Sequence, residues 1–250
     1  MKRLFLIAAF AACTPVCAQG VLSIGGGADY SSGEYGKVET TSVSMVYLNA
    51  KYETGRWTYR ATLPYLRISG PANVVGVGTD VIVLPDAPAG RRDVSGAGDI
   101  TASASYKAIA RDSVIVEVGA GIKLPTADES KGLGTGETDY AVQADFYLPI
   151  GAGGPFATLG YRWYGDPPGI ELRNAYFGSV GYAWRDASGT SLGFAYDFRD
   201  RTVEGGARAS ELMVFVSHTV ASWKGQIYFL KGFSDASPDA GVGVTLSYAY

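Results

Sequence analysis

The chain has 250 residues, with 21 Lys and Arg against 24 Asp and Glu and a formal charge of −3. That balance argues against nucleic acid as a partner and supplies no polybasic patch for an anionic membrane surface. Beyond the first residues no apolar run reaches the roughly 18 residues of a membrane-spanning helix, yet 34 glycines and 17 tyrosines mark an aromatic, glycine-rich protein.

Taken in chain order, the first element reads as a secretory signal. Lys2 and Arg3 give the positive start, Leu4 to Ala12 the apolar run, and Val16-Cys17-Ala18 a small-residue cleavage site. Residues 1–18 are therefore expected to be removed, leaving 19–250 as one barrel domain. Lipidation of Cys13 is a competing reading, weakened by Phe10 three positions before it. Cys13 and Cys17 both lie in this segment, so the mature chain is expected to carry no disulfide and no cysteine metal site.

After the signal, apolar and polar residues alternate with period two, the pattern of a strand with two unlike faces. Near 99–108, Ile100, Ala102, Ala104 and Tyr106 oppose Thr101, Ser103, Ser105 and Lys107. Near 113–124, Val114, Val116, Val118, Ala120, Ile122 and Leu124 oppose Glu117 and Lys123. Near 138–149, Tyr140, Val142, Ala144, Phe146 and Leu148 oppose Asp139, Gln143, Asp145 and Tyr147. At the end, Val242, Val244, Leu246, Tyr248 and Tyr250 oppose glycines, Thr245, Ser247 and Ala249. Reading every such segment predicts strands at 20–30, 40–53, 56–67, 97–109, 113–124, 138–150, 155–165, 173–185, 189–199, 209–220, 223–233 and 240–250.

The intervening connections alternate strictly between short and long, the longest running from about Ile68 to Gly96. Tight turns on one side and long loops on the other are the habit of an outer-membrane barrel. A secreted β-sandwich also alternates along its strands but has no reason to sort its loops by side. The expected fold is thus all-β: a closed antiparallel transmembrane barrel of about twelve strands, with short periplasmic turns and longer external loops. Closure is required because hydrocarbon leaves no partner for an unpaired strand edge. Trp57, Trp163, Trp184 and Trp223 fall near strand ends, where an aromatic girdle would sit.

Several segments carry a family likeness. Lys123-Leu124-Pro125-Thr126, Ser130 to Gly136, Thr138-Asp139-Tyr140, Leu159 to Arg162, Gly165 to Gly169 and Gly232 to Gly243 resemble the outer-membrane putative transporter family named for the "MetA-pathway of phenol degradation". The resemblance covers nearly the whole mature chain and is most specific over 123–140. It implies a barrel in the bacterial outer membrane that takes up small compounds, aromatic ones among them, without fixing a substrate.

Parity places a mixed set of charges toward the lumen: Asp29, Lys51, Arg60, Lys107, Glu117, Lys123, Asp139, Asp145, Arg162, Asp197, Glu211 and Lys224. They can be read as ion pairs that satisfy one another or as a polar pathway that orients a solute. The 68–96 loop is unusually apolar, with Val74, Val75, Val77, Val81, Ile82, Val83 and Leu84, then Pro85, Pro88 and the Arg91-Arg92 pair. Two readings compete: a constriction folded into the barrel mouth, and an extension of the flanking strands above the membrane. Asp128, Glu129 and Glu137 offer oxygen ligands in a glycine-rich loop, but their spacing matches no EF-hand; a solvated external loop is the favoured reading, and no metal or other cofactor is expected. The single histidine, His218, follows Ser217 directly, so the two side chains point to opposite faces and form no dyad. With no catalytic constellation to name, the chain is read as a channel for small solutes, with a closed structural or surface-interaction barrel as the alternative. Its expected partners are the solute, outer-membrane lipid and lipopolysaccharide, and the barrel-assembly machinery through the strand ending at Tyr250.

Overall fold

The computed structural model describes residues 20–71, 73–77, 80–84 and 90–250. The expected signal segment, Pro85 and Pro88 lie outside the described residues. Fifteen strands follow one another: β1 (Val21–Gly33), β2 (Thr41–Thr54), β3 (Trp57–Pro71), β4 (Val74–Val77), β5 (Asp80–Val83), β6 (Arg91–Ala97), β7 (Ile100–Arg111), β8 (Val114–Leu124), β9 (Asp139–Tyr147), β10 (Gly153–Trp163), β11 (Ala175–Arg185), β12 (Thr190–Arg199), β13 (Ala209–Val220), β14 (Trp223–Gly232) and β15 (Ala240–Ala249).

All but β4 and β5 form one antiparallel sheet. β15 returns to pair with β1 from Ser23↔Ala249 to Ser32↔Ala240, so the sheet closes on itself. β6 and β7 both pair with β3 and act as two halves of one barrel strand, giving twelve strands around the wall. The sequence predicts one unbroken strand over 97–109. Instead it breaks at Gly98-Asp99, where the Gly98 N–H donates to the Pro64 carbonyl (2.9 Å) and Asp99 turns inward. β3 also runs past its predicted end at 67. Its last residues, Tyr65 to Pro71, pair with β6 as an arm rising on the long-loop side.

The connections sort by side as the sequence predicts. Tight turns join β2 to β3, β7 to β8 and β13 to β14, while the connections over 34–40, 72–99, 125–138, 164–174, 200–208 and 233–239 all open at the other end. The outer face is apolar, with Leu48, Leu63, Val142, Leu159, Val180, Val214 and Leu246 exposed along it. Aromatic contacts bracket that band: Trp57–Tyr106 (5.0 Å), Tyr182–Trp184 (4.5 Å) and Trp223–Tyr248 (4.9 Å) near the short turns, Tyr161–Trp163 (4.9 Å) near the long loops.

The glycines gain their meaning from register. On the inner face Gly27 pairs with Tyr47, Gly160 with Phe177, Gly181 with Phe156, Gly193 with Phe215 and Gly243 with Tyr228. A Cβ at any of these glycines would run into its partner's ring, so each ring lies flat over a bare stretch of backbone. The lumen is thereby lined by rings lying along the wall rather than filled by rings standing across it. Tyr228 is further fixed by its hydroxyl, which donates to Asp29 Oδ1 at 2.8 Å. Gly243→Val is expected to lift this ring, break that hydrogen bond and cost about 1–3 kcal/mol. Equilibrium urea unfolding in detergent micelles would measure it, and an unchanged midpoint would show that the ring is not held there.

Candidate functional site

Between its charged residues, the inner face of β7, β8 and β9 carries small ones: Thr101, Ser103 and Ser105, then Gly119 and Gly121, then Ala141. Because they cannot reach across the barrel, a cavity of about 590 Å³ remains in front of them. A second cavity of about 400 Å³ lies against β10 to β13, and Arg162 and Phe177 line both. These two side chains therefore mark the junction. The Arg162 guanidinium sits 5.5 Å from the Phe177 ring centroid and 5.7 Å from that of Tyr164.

Register orders the lumen charges into two rows. One runs Lys107, Glu117, Asp145, Thr158, Ser179, Asp197, Glu211 across β7 to β13, each paired with the next. The other runs Lys51, Arg60, Ser103, Gly121, Ala141, Arg162, climbing from the short-turn end of β2 and β3 to the long-loop end of β10. Glu117 is approached by Lys107 (3.8 Å) and by the Ser105 hydroxyl (3.3 Å). Asp145 accepts from Thr158 Oγ1 (2.6 Å) and Gln143 Nε2 (2.8 Å).

A third group is a buried cluster rather than a pathway. Lys123 Nζ lies 3.2 Å from Asp99 Oδ2 and 3.2 Å from Asp139 Oδ2, and donates to Thr135 Oγ1 at 2.7 Å. The three charged side chains are 6%, 0% and 3% exposed. Asp99 Oδ1 also accepts from the Ala127 N–H, and Asp139 Oδ1 from that of Gly165. Two long loops are thus docked onto the wall by one cation and two carboxylates.

At the mouth, β4 and β5 pair as a hairpin from Val74↔Val83 to Val77↔Asp80. Val75, Val77 and Ile82 are buried against Tyr164, Leu172, Ala175 and Val203, with Leu84 packed beside them. On the opposite side Val81 packs against the cluster of Val43, Met45, Leu66, Ile68 and Leu133. Backbone bonds tie the hairpin down: Arg199 Nη2 donates to the Val81 carbonyl (3.1 Å), Gly76 N–H to the Gly132 carbonyl (3.1 Å), and Arg92 to the Val74 carbonyl. The hairpin thus spans the mouth from wall to wall, and Val77 reaches the larger cavity.

Of the residues singled out from sequence, Arg60, Glu117, Lys123, Asp139, Asp145 and Arg162 line the larger cavity and Glu211 the smaller. Lys51, Lys107 and Lys224 sit toward the short turns, Lys51 pairing with Glu53 at 2.7 Å. Val74, Val75, Val77, Ile82, Leu84 and Arg92 belong to the hairpin and its anchors, but Arg91 does not. It points outward from β6 toward Glu39 (3.7 Å), because neighbouring strand residues take opposite faces. Sequence reasoning missed Asp99, Thr135, Phe177 and Arg199. Asp99 shares parity with Thr101 after the Gly96-Ala97-Gly98 break, a signal that was present.

In the 125–138 loop Asp128 caps a single 3-10 turn, accepting from Ser130 N (3.1 Å) and Oγ (2.6 Å) and pairing with Lys131 (3.3 Å). The Ser130 bonds and Lys131 hold its carboxyl below the ordinary value. No metal cluster of three or more His, Cys, Asp or Glu occurs among the described residues. His218 lies on the outer face, its Nδ1 3.0 Å from Thr190 Oγ1.

No protein-family model matches the chain, and no curated protein sequence does. Among solved structures it is similar to the COG4313 outer membrane channel from Pseudomonas putida F1, at 17% identity and a TM-score of 0.69, over 92% of this chain and 96% of that one. It is also similar to the NanC porin (9% identity, TM-score 0.57, 91% and 98% covered) and the KdgM porin (10% identity, TM-score 0.56, 91% and 99% covered). At these identities the likeness is one of fold.

Proposed function

We propose that this chain, after loss of residues 1–18, is an outer-membrane channel that passes small solutes by diffusion through a charged, narrow lumen. The observation that carries this reading is the pair of cavities inside a closed wall, kept open by small residues and flat-lying rings. Its apolar exterior with aromatic girdles suits a bilayer, with the short turns toward the periplasm. The fold of solved outer membrane channels and porins supports the same assignment. Membership of the transporter family resembled by the 123–140 block, and uptake of aromatic compounds, belong to this proposal. So do contact with lipopolysaccharide and recognition of the strand ending at Tyr250 by the assembly machinery.

Arg162 and Phe177 form the waist of the pathway, and the β4–β5 hairpin narrows its external mouth. A closed structural barrel would be expected to bridge its lumen arginines to carboxylates. Among the described residues neither Arg60 nor Arg162 lies within ion-pair distance of one. The test is single-channel recording of refolded, signal-free protein in a planar bilayer. Discrete current steps are expected, and a silent bilayer from inserted, folded protein would move the assignment to a structural barrel.

A further inference from the structure

Apart from Lys107, which pairs with Glu117, the charges of the first row are acidic, while those of the second are basic. In the row through Arg162, the members between it and Arg60 (Ser103, Gly121 and Ala141) are uncharged, and beyond Arg60 comes Lys51, which pairs with Glu53. Arg162 senses Asp139 at longer range, but that carboxylate is already engaged by Lys123 and the Gly165 N–H. In the other row, Asp145 and Asp197 have no cation within ion-pair distance among the described residues; Asp145 is held by neutral donors. The rows are four residues apart along β9 and β10, about 13 Å along the strand. The reach of an arginine side chain shortens that gap to roughly the length of a small aromatic molecule.

A solute of one sign would be attracted by one row and repelled by the other. A solute with both charges, set at opposite ends of an apolar body, matches both rows at once. The Phe177 ring lies at the junction between them, where the apolar body would rest. We infer that the lumen holds a subsite for zwitterionic solutes carrying a carboxylate and an ammonium at opposite ends. The carboxylate faces Arg162 on β10, the ammonium faces Asp145 on the adjacent β9, and the Phe177 ring, over Gly160, lies between the two levels. This deepens the channel assignment and rests on it for its physiological meaning, but the subsite can be tested apart from conduction.

The probe is 4-(aminomethyl)benzoate, compared with 4-methylbenzoate and 4-methylbenzylamine, which share its ring and each keep one charge. Calorimetric titration of the refolded barrel in micelles is expected to give at least tenfold tighter binding of the zwitterion than of either single-charge analogue. Arg162→Gln should reduce the zwitterion to the level of the amine, and Asp145→Asn should weaken it at least threefold, while Arg162→Lys retains part of the preference. Circular dichroism of each variant guards against a folding defect. Equal binding of all three probes, no binding at all, or preference for one single-charge analogue would overturn the subsite. If binding discriminates but bilayers stay silent, the subsite stands and the channel falls; current steps without discriminated binding give the reverse.

Discussion

Lys123→Met is expected to lower folding stability by about 3–5 kcal/mol, the usual cost of removing one partner from a buried ion pair. The size follows from what remains. Asp99 and Asp139 are almost wholly buried, and Lys123 is the only cation within ion-pair distance of either among the described residues. Without it, two neighbouring carboxylates must protonate or draw in water, and both responses cost free energy. Adding Asp99→Asn and Asp139→Asn should recover more than half of the loss. An amide oxygen can still accept from the Ala127 and Gly165 N–H groups while the charge is gone. Urea titration followed by the gel-mobility difference between folded and unfolded barrels would read both effects. The loops over 125–138 and 164–174 should become protease-sensitive in the single variant. A Lys123→Met protein within about 0.5 kcal/mol of the parent, the range of an ordinary surface change, would mean that the cluster does not hold the loops.

The wall of this barrel was legible because a strand repeats every two residues, so parity alone tells lumen from exterior. That logic placed Asp29, Glu117, Lys123, Asp139, Asp145 and Arg162 on the inner face and His218 on the outer. Register, which parity does not give, decided everything finer. Lys123 and Asp139 were both in view, but only their pairing across β8 and β9, with Asp99 entering from a broken strand, turns them into a buried cluster. The flat rings over Gly160 and Gly243 likewise exist only through pairing, although the excess of glycine and tyrosine was plain from composition. The 74–83 segment resisted for a different reason. Its valines and Ile82 fall on both parities, so an inward hairpin and a raised strand extension look alike. The structure contains both, with the extension in β3 and β6 and the hairpin between them. Arg91 and Arg92 then separate onto opposite faces.

Removing that hairpin should produce the largest functional change. Pro71 and Arg91 are register partners, so residues 72–90 can be replaced by Asn-Gly, a pair suited to a tight turn between antiparallel strands. The arm of β3 and β6 would then close directly and the mouth would lose its crossbar. Conductance steps are expected to rise several-fold. The parent hairpin is not a loosely hinged lid: Val75, Val77 and Ile82 are each buried, at about 1.5–3 kcal/mol apiece for a fully buried side chain. Even if only about 4 kcal/mol survives the partial collapse of an undocked state, the hairpin would be lifted about one thousandth of the time. On the proposed channel reading, solute passes through the gaps around a fixed crossbar, and the deletion measures how much that crossbar restricts flow. Steps of unchanged size would place the restriction lower, where Arg162 and Phe177 separate the two cavities, and would reduce the hairpin to a brace between the walls of the mouth.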